Sequence, residues 1–261
     1  MNDRDYLWLA QLFYAATIGL TIWRWRGGGR TSTQRANYAA MLCGFVLHTA
    51  FLAMRGHQLT RCPLTNSFEM WVFVAWAAVL FYVLIGTAYR VSFLGAFTAP
   101  LVLAMSIYAL VFADDAPRPR PAVTTAWVEF HAAIAVLAVG AFALGFVAGA
   151  MYLMQERQLK TRQLGPTFLQ MPSIDRLDKI NFRLIIMGFA LLTLGMIGGF
   201  MSYRVVGYVP TPKLVWAIAA WVIYAGLLAA RLAWSVRGRR ITLVSMVSFA
   251  LLIVTFWGIA R

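Results

Sequence analysis

The chain has 261 residues, of which 61% are hydrophobic and only 12% are charged. A soluble domain carries about 25% charged residues, so this sequence has too few polar side chains to cover a surface that faces water. The formal net charge of +14 does not indicate nucleic-acid binding, because the cations form short clusters between apolar runs, as in membrane proteins. Composition therefore indicates one integral-membrane domain over residues 1–261.

Eight apolar runs are long enough to cross a bilayer, since a core of about 30 Å requires about 20 helical residues. The third and fourth runs are joined by little more than Tyr89 and Arg90, and a tight helical hairpin is favoured there over a re-entrant pair. The sequence thus predicts an all-α polytopic membrane helix bundle, with transmembrane helices at residues 6–23, 37–54, 68–89, 91–113, 125–154, 184–206, 213–233 and 241–260.

The basic residues predict the orientation of the bundle. Alternate loops hold 15 of the 23 lysines and arginines, together with only three of the nine acidic residues. Loops that flank transmembrane helices and carry excess Lys and Arg lie in the cytoplasm. The sequence therefore predicts a multi-pass protein of the bacterial cytoplasmic (inner) membrane with both termini outside. The predicted cytoplasmic cations are Arg24, Arg26, Arg30, Arg35, Arg90, Arg157, Lys160, Arg162, Arg176, Lys179, Arg183, Arg231, Arg237, Arg239 and Arg240.

Only one predicted loop is sizeable, the cytoplasmic segment 155–183. Its Pro172-Ser173 pair, followed by acidic residues, is typical of a helix start. Leu177, Ile180 and Phe182 follow at a spacing that predicts an amphipathic helix lying at the membrane surface. This loop is first a structural element, and docking of a partner is the second possibility.

Two histidines fall inside the predicted spans, where an ionisable group is costly and therefore a functional candidate. His48 lies six residues before the outer end of the second span, and His131 lies six residues after the start of the fifth. At a rise of 1.5 Å per residue, both lie about 9 Å below the outer surface. Two imidazoles at one depth are what a six-coordinate haem iron requires. The alternative for each is a hydrogen bond between helices. The third histidine, His57, is predicted in the outer loop after the second span.

Other residues at the outer side are candidates for the rest of a haem site. Cations there could pair with the two propionates of haem, with bidentate arginine geometry favoured; these are Arg55, Arg61, Arg204 and Lys213. Aromatic side chains could enclose the macrocycle, although aromatic residues at helix ends also form interfacial belts; these are Phe51, Trp71, Trp76, Trp127, Phe130 and Phe142.

The sequence contains no catalytic constellation. It has no Ser/His/Asp set, carboxylate pair, phosphate loop or zinc-ligand spacing, and its two cysteines, Cys43 and Cys62, form no CxxC motif. These observations favour a binding protein over an enzyme.

Several segments resemble the cytochrome c assembly family, which includes CcsA, CcmC and HemX-like proteins. The stretch Arg61–Glu69 is similar to the family's Pro-x-(Ser/Thr)-Asn-x-x-Glu entry to a span, with Trp76 downstream. The resemblance covers about residues 40–260, and its motifs occur in order at the expected spacing. The other segments that carry it are Phe93–Pro100, Trp127–His131, Tyr152–Lys160, Met171–Asp178, Gly188–Gly195 and Lys213–Arg240.

The resemblance implies a role for His131, which stands where the family's first external haem-ligating histidine is found. Three family features are missing: the tryptophan-rich outer loop, replaced by Ser202–Lys213; the second external histidine; and the histidine expected after Tyr224. The chain therefore resembles the HemX-like branch that lacks the tryptophan motif. Haem binding requires that His131 pair with His48 or His57.

These observations predict a protein that binds or handles haem b in cytochrome c biogenesis and acts with another membrane subunit of that process. The alternative is a HemX-like membrane regulator or assembly scaffold that binds no haem and works through its loop 155–183. A transporter is the third hypothesis, but no inverted repeat or pair of broken helices supports it.

Overall fold

All regular secondary structure is helical in the residues that the computed structural model describes, which are 3–28, 31–89, 92–116, 126–162, 171–207, 211–235 and 237–259. A short π-helical turn, Arg24–Gly28, follows the first helix. The eight α-helices are α1 (Asp3–Trp23), α2 (Thr31–Leu59), α3 (Ser67–Tyr89), α4 (Ser92–Phe112), α5 (Ala126–Thr161), α6 (Ile174–Val206), α7 (Thr211–Ala233) and α8 (Arg239–Ile259).

Helices α1 to α7 are each long and apolar enough to cross a membrane, and α8 is the eighth helix, 21 residues long. The predicted all-α membrane helix bundle is confirmed. Each predicted span coincides with one helix, and α3 and α4 pack against each other as a helical hairpin. The seven apolar spans are Asp3–Arg26, Arg35–Leu59, Ser67–Gly86, Phe93–Phe112, Ala126–Thr161, Ile174–Val205 and Leu214–Ala233.

Three helices extend further than the apolar runs predict. Helix α2 continues to Leu59, so the prediction that His57 lies in a loop is wrong, and this residue lies in the last turn of α2. Helix α5 continues to Thr161 and α6 starts at Ile174, so most of the predicted loop 155–183 is helical. The reason is that the end of α5 consists of good helix formers such as Gln, Glu, Arg, Leu and Lys, which continue a helix beyond the apolar core.

The start of α6 is not an interfacial helix, and that prediction is wrong. Ser173 caps the helix as predicted, since its side chain accepts a hydrogen bond from the Arg176 N–H at 3.4 Å. However, Leu177 and Ile180 are fully buried in the hydrophobic core. Their apolar face packs on protein, and α6 enters the bundle directly.

The helices pack in two groups, α1–α4 and α5–α8, which are joined mainly where α3 packs against α5. Consecutive helices run antiparallel. We call the end at which α1, α3, α5 and α7 start the terminal end, because the first helix begins there and the last helix ends there. The opposite end is the basic end, because the members of the predicted cytoplasmic cation set that the structure describes lie there. The charge pattern predicts that the basic end faces the cytoplasm.

The contact between α3 and α5 depends on a residue without a side chain. A Cβ at Gly140 would lie 2.3 Å from the Cβ of Ala77 and 2.9 Å from its carbonyl carbon. We expect Gly140→Ala to destabilise the protein by about 1–3 kcal/mol, because neither backbone can move without disturbing the core. Thermal unfolding in detergent measures the effect. The matched control is Gly226→Ala, since no atom lies within 4 Å of a Cβ built there. Equal stability of both variants would contradict this account.

Candidate functional site

His131 lies in the second turn of α5, at the terminal end, and is held by α6. Its Nδ1 lies 2.6 Å from the carbonyl oxygen of Gly195. Because a carbonyl only accepts hydrogen bonds, Nδ1 carries the proton in this contact. In the neutral imidazole, Nε2 therefore keeps a free lone pair. This bond fixes both the tautomer and the ring orientation, as is usual for histidines that bind metals.

Glycines on α6 bring that carbonyl within reach of the ring. A Cβ at Gly199 would lie 3.0 Å from both Cε1 and Nδ1 of His131, and one at Gly198 would lie 2.9 Å from Cδ1 of Phe130. Side chains at these positions would push α6 away from α5. Close helix packing, the simplest role for these glycines, is therefore what the structure assigns to them.

An exposed aromatic surface surrounds His131. Trp127 and Phe130 on α5 form a T-shaped pair with ring centroids 6.1 Å apart, and both are exposed. On α6, exposed Tyr203 lies one turn beyond Gly199, on the face of the helix that meets α5. Arg204 follows in the last turn of α6 and is also exposed. The terminal end of the α5–α6 pair thus combines an imidazole, aromatic rings and a cation.

The structure places His48 elsewhere, inside the α1–α4 group. Its side chain is fully buried, the Tyr14 hydroxyl lies 3.3 Å from Nδ1, and the ring packs on Phe51. The Val72 backbone of α3 lies close to the ring, while Nε2 has no partner that meets hydrogen-bond geometry among the described residues. Helix α2 packs mainly on α1, α3 and α4, whereas α5 packs mainly on α6, α3 and α8. His48 and His131 therefore lie in different helix groups, and no described contact joins them.

The other predicted site residues are dispersed over the terminal end. His57 is exposed in the last turn of α2. Arg61 is half-buried in the α2–α3 loop, where its guanidinium lies 3.5 Å from the Thr65 hydroxyl. The side chain of Lys213 lies outside the described residues. Of the predicted cations, only Arg204 lies on the same helix pair as His131.

Arg55 has protein partners for its charge. Its guanidinium donates to the carboxylates of Asp3 and Glu69, each at 3.2 Å, and also to Asp115. Arg4 pairs with the same Asp115. This cluster ties α1, α2, α3 and the end of α4 together. Arg55, predicted to meet a propionate, is thus surrounded by carboxylates that repel one.

The Pro-x-Thr-Asn-x-x-Glu motif builds the start of α3. The Asn66 side-chain oxygen accepts from the Glu69 N–H at 2.8 Å, and the Glu69 carboxylate accepts from the N–H and hydroxyl of Thr65, each at 2.8 Å. This arrangement resembles a capping box, except that the Glu69 carboxylate returns to Thr65, one residue before the capping residue Asn66. Glu69 also accepts from Arg55, so the cap is fastened to the ionic cluster. The motif is structural, a role that sequence reasoning missed although its spacing was visible.

The predicted aromatic wall is likewise divided. Phe51 is buried against His48 and Phe68, while Phe142 stacks on Tyr224 with centroids 3.8 Å apart. The remaining α3 members pack within the α1–α4 group, namely Trp71 on Tyr108, and Trp76 on Phe45 and Phe73. Only Trp127 and Phe130 lie near His131.

The pKa of Cys62, which lies in the α2–α3 loop, indicates which groups surround this loop at the terminal end. It is half-buried, and burial raises the pKa of its thiol, with the carboxylates of Glu129 and Glu69 raising the pKa further. The influence of Glu129 indicates that this loop lies near the start of α5. The thiol is thus less ionised at neutral pH than an ordinary cysteine, which lowers its reactivity.

A buried ion pair at the basic end was also missed by sequence reasoning. Arg231 on α7 binds Asp178 on α6 in bidentate geometry at 2.8 and 2.5 Å. The guanidinium also lies 4.2 Å from the centroid of the Phe182 ring. Both charged side chains are nearly buried. The charge pattern assigned Arg231 only a role in topology, because the partner lies 53 residues away.

The fold and this site define a class: a polytopic helix bundle that presents a histidine, oriented by a backbone carbonyl, beside exposed aromatic rings at one end. Residues 64–260 match the family described as Cytochrome C assembly protein. This match covers most of the chain, and the protein belongs to the cytochrome c assembly protein family.

Similar proteins include several that are named cytochrome c biogenesis protein CcsA. One from Synechococcus sp. (strain CC9902) is 28% identical over 246 residues, covering 82% of this chain and 80% of the relative. Another, from Synechococcus sp. (strain RCC307), is 25% identical over 289 residues, covering 99% and 93%. A third, from Mesostigma viride, is 25% identical over 239 residues, covering 80% and 77%.

The raised pKa of Cys62 predicts slow alkylation at neutral pH. In a Cys43→Ser background, we expect the rate of reaction with iodoacetamide to rise at higher pH than for a free thiol. Glu129→Gln removes one of the causes, so it should shift the rate profile part of the way back, since burial and Glu69 still raise the pKa. The control Glu156→Gln, at the basic end, should leave the profile unchanged. A Glu129→Gln profile identical to that of the parent would contradict the assigned cause.

The Asp178–Arg231 pair predicts a strong coupling between two helices. We expect Arg231→Met alone to destabilise the protein by about 3–5 kcal/mol, because it leaves the carboxylate of Asp178 buried without a partner. The double variant Asp178→Leu/Arg231→Met should cost clearly less than the two single changes added together. Thermal unfolding in detergent measures all three. Lys179→Met, which breaks the exposed pair with Asp175, should cost less than about 1 kcal/mol. Additive effects at Asp178 and Arg231 would argue against coupling.

Proposed function

We propose that this protein handles haem in cytochrome c biogenesis, and that it binds haem b at the terminal end of α5 and α6 with His131 as an iron ligand. Membership of the cytochrome c assembly protein family and the names of its CcsA relatives support the process. The observation that carries the site is the hydrogen bond from His131 Nδ1 to the Gly195 carbonyl oxygen.

The surroundings of His131 fit haem as cargo. Iron in haem takes a neutral imidazole as its axial ligand, and the Gly195 carbonyl orients the ring so that Nε2 is the free nitrogen. Trp127, Phe130 and Tyr203 provide exposed aromatic surface for the macrocycle, and Arg204 provides a cation for a propionate. Haem would supply only its iron and its carboxylates. The chain would bind and orient it, with no bond-making chemistry of its own.

The identity of the second iron ligand is a separate question, because the chain has two other histidines, His48 and His57. His48 is enclosed in the α1–α4 group and His57 is exposed at the end of α2. Neither makes a described contact with His131. The proposal therefore rests on His131, and its predicted pairing with His48 or His57 stays a prediction that the same experiment tests.

The protein's setting is also part of the proposal. We place it in the bacterial cytoplasmic membrane, with the basic end in the cytoplasm and the haem site near the outer surface. It would act with another membrane subunit of cytochrome c maturation. The replacement of the tryptophan-rich stretch by Ser202–Lys213 supports the HemX-like branch, in which binding of haem does not extend to its full presentation.

The test is a reduced-minus-oxidised absorption spectrum of protein purified in detergent from haem-replete cells. We expect a Soret band and α and β bands for the wild type, and loss of most of the haem in His131→Ala. Added imidazole should restore the spectrum of this variant, because it replaces the missing ligand. Loss of the low-spin bands in His48→Ala or His57→Ala, with the fold intact, would identify the second ligand. A colourless wild type, or full haem retention by His131→Ala, would overturn the proposed site.

A further inference from the structure

A cavity of about 390 Å³ lies at the basic end, between α5 and α8, far from the proposed haem site. Its size falls within the range of small-molecule sites, about 300–1,000 Å³. The lining residues are Leu153, Glu156, Arg157, Lys160, Thr161 and Arg239. Neither the family resemblance nor the proposed handling of haem gives this cavity a role.

The cavity lies where α5 continues past the start of α8. A Cβ at Gly149 would lie 3.0 Å from the Met246 side chain and 3.1 Å from that of Thr242, so the helices touch there. Helix α5 continues for three more turns, to Thr161, whereas α8 begins at Arg239 and does not extend alongside this part of α5. The lining residues of α5 lie three or four positions apart and therefore share one face of the helix. This face and the first residue of α8 form the two walls.

The walls carry an excess of positive charge. Arg157, Lys160 and Arg239 contribute three cations, and Glu156 is the only acid in the lining. One Glu156 oxygen lies 2.7 Å from Lys160 Nζ, and the other lies 3.8 Å from Arg239 Nε. The carboxylate thus bridges the two walls and holds both cations toward the cavity, but it neutralises only one charge. The start of α8 adds the partial positive charge of a helix N-terminus.

We propose that this cavity binds the phosphodiester headgroup of an anionic phospholipid. Guanidinium and ammonium groups bind phosphate oxygens strongly, and basic pockets between transmembrane helices on the cytoplasmic side are suited to such headgroups. The lining is also amphiphilic, since Leu153 lies one turn deeper in the bundle than Arg157. A lipid fits this gradient, with its acyl chains toward the apolar span and its phosphate toward the cations. A soluble phosphate would use only the charged rim.

The cations can be removed without disturbing the fold, which makes the site testable. The side chains of Lys160 and Arg239 are 62% and 60% exposed, so the variant Lys160→Gln/Arg239→Gln should remain folded. The matched control is Arg176→Gln/Lys179→Gln, which removes two exposed cations from the same end of the bundle, outside the cavity.

The experiment is native mass spectrometry of detergent-solubilised protein titrated with phosphatidylglycerol or phosphatidylcholine. We expect phosphatidylglycerol to bind the wild type selectively. Binding should weaken about fivefold for each cation removed from the cavity, so roughly 25-fold in the double variant, and less than twofold in the control. Equal binding of the two lipids, or equal losses in the cavity variant and the control, would overturn the proposal.

Free sn-glycerol 3-phosphate distinguishes a lipid from a soluble ligand. At millimolar concentration it should not displace phosphatidylglycerol, because it lacks the acyl chains. Binding of glycerol phosphate in the absence of lipid, lost in the double variant, would instead assign the cavity to a soluble phosphate and overturn the lipid assignment. None of these outcomes depends on haem, so the proposal stands or fails separately from the proposed function.

Discussion

The rest of the structure depends on the close approach of other helices to α5. In lipid, helices gain little from the hydrophobic effect, so association rests on packing, which small residues allow to become tight. Glycines allow tight packing on three sides of α5. Gly140 of α5 packs against α3, Gly149 of α5 packs against α8, and Gly199 of α6 packs against His131. The last contact also brings the Gly195 carbonyl within 2.6 Å of His131 Nδ1. Close packing around α5 therefore both joins the two helix groups, through α3, and orients the candidate iron ligand, through α6.

Charged side chains fasten the bundle at both ends, and this separates structural from functional candidates. At the terminal end, Arg55 meets three carboxylates, one of them in the capping motif of α3. At the basic end, Asp178 and Arg231 join α6 to α7. Buried charges require such partners, because an unpaired charge in a low-dielectric interior is costly. The residues that remain for ligands are His131 with its exposed aromatic neighbours, and the cations around the cavity between α5 and α8.

Much of the fold could be predicted because its main determinants are local. An apolar run of about 20 residues must form a helix in lipid, since only a helix satisfies its own backbone hydrogen bonds, and all eight predicted spans are helices. The errors fall at helix ends. Polar helix formers extend α5 beyond its predicted end, and α2 continues far enough to include His57. The first turns of α6 lie in the core and not at the membrane surface. Hydropathy identifies the part of a helix that spans the membrane, but it does not identify where the helix ends outside the membrane.

Sequence by itself determined the helices, the family resemblance and the choice of His131 as a candidate ligand. Only the tertiary structure decided which residues share a site, because that depends on which helices pack together. His48 and His131 match in predicted depth, a property of each helix alone, but α2 and α5 belong to different groups. Likewise, the sequence indicates that Arg55 and Asp178 are charged, whereas their partners come from distant segments of the chain. Depth along a helix is encoded locally, and position across the bundle is set by packing between distant segments.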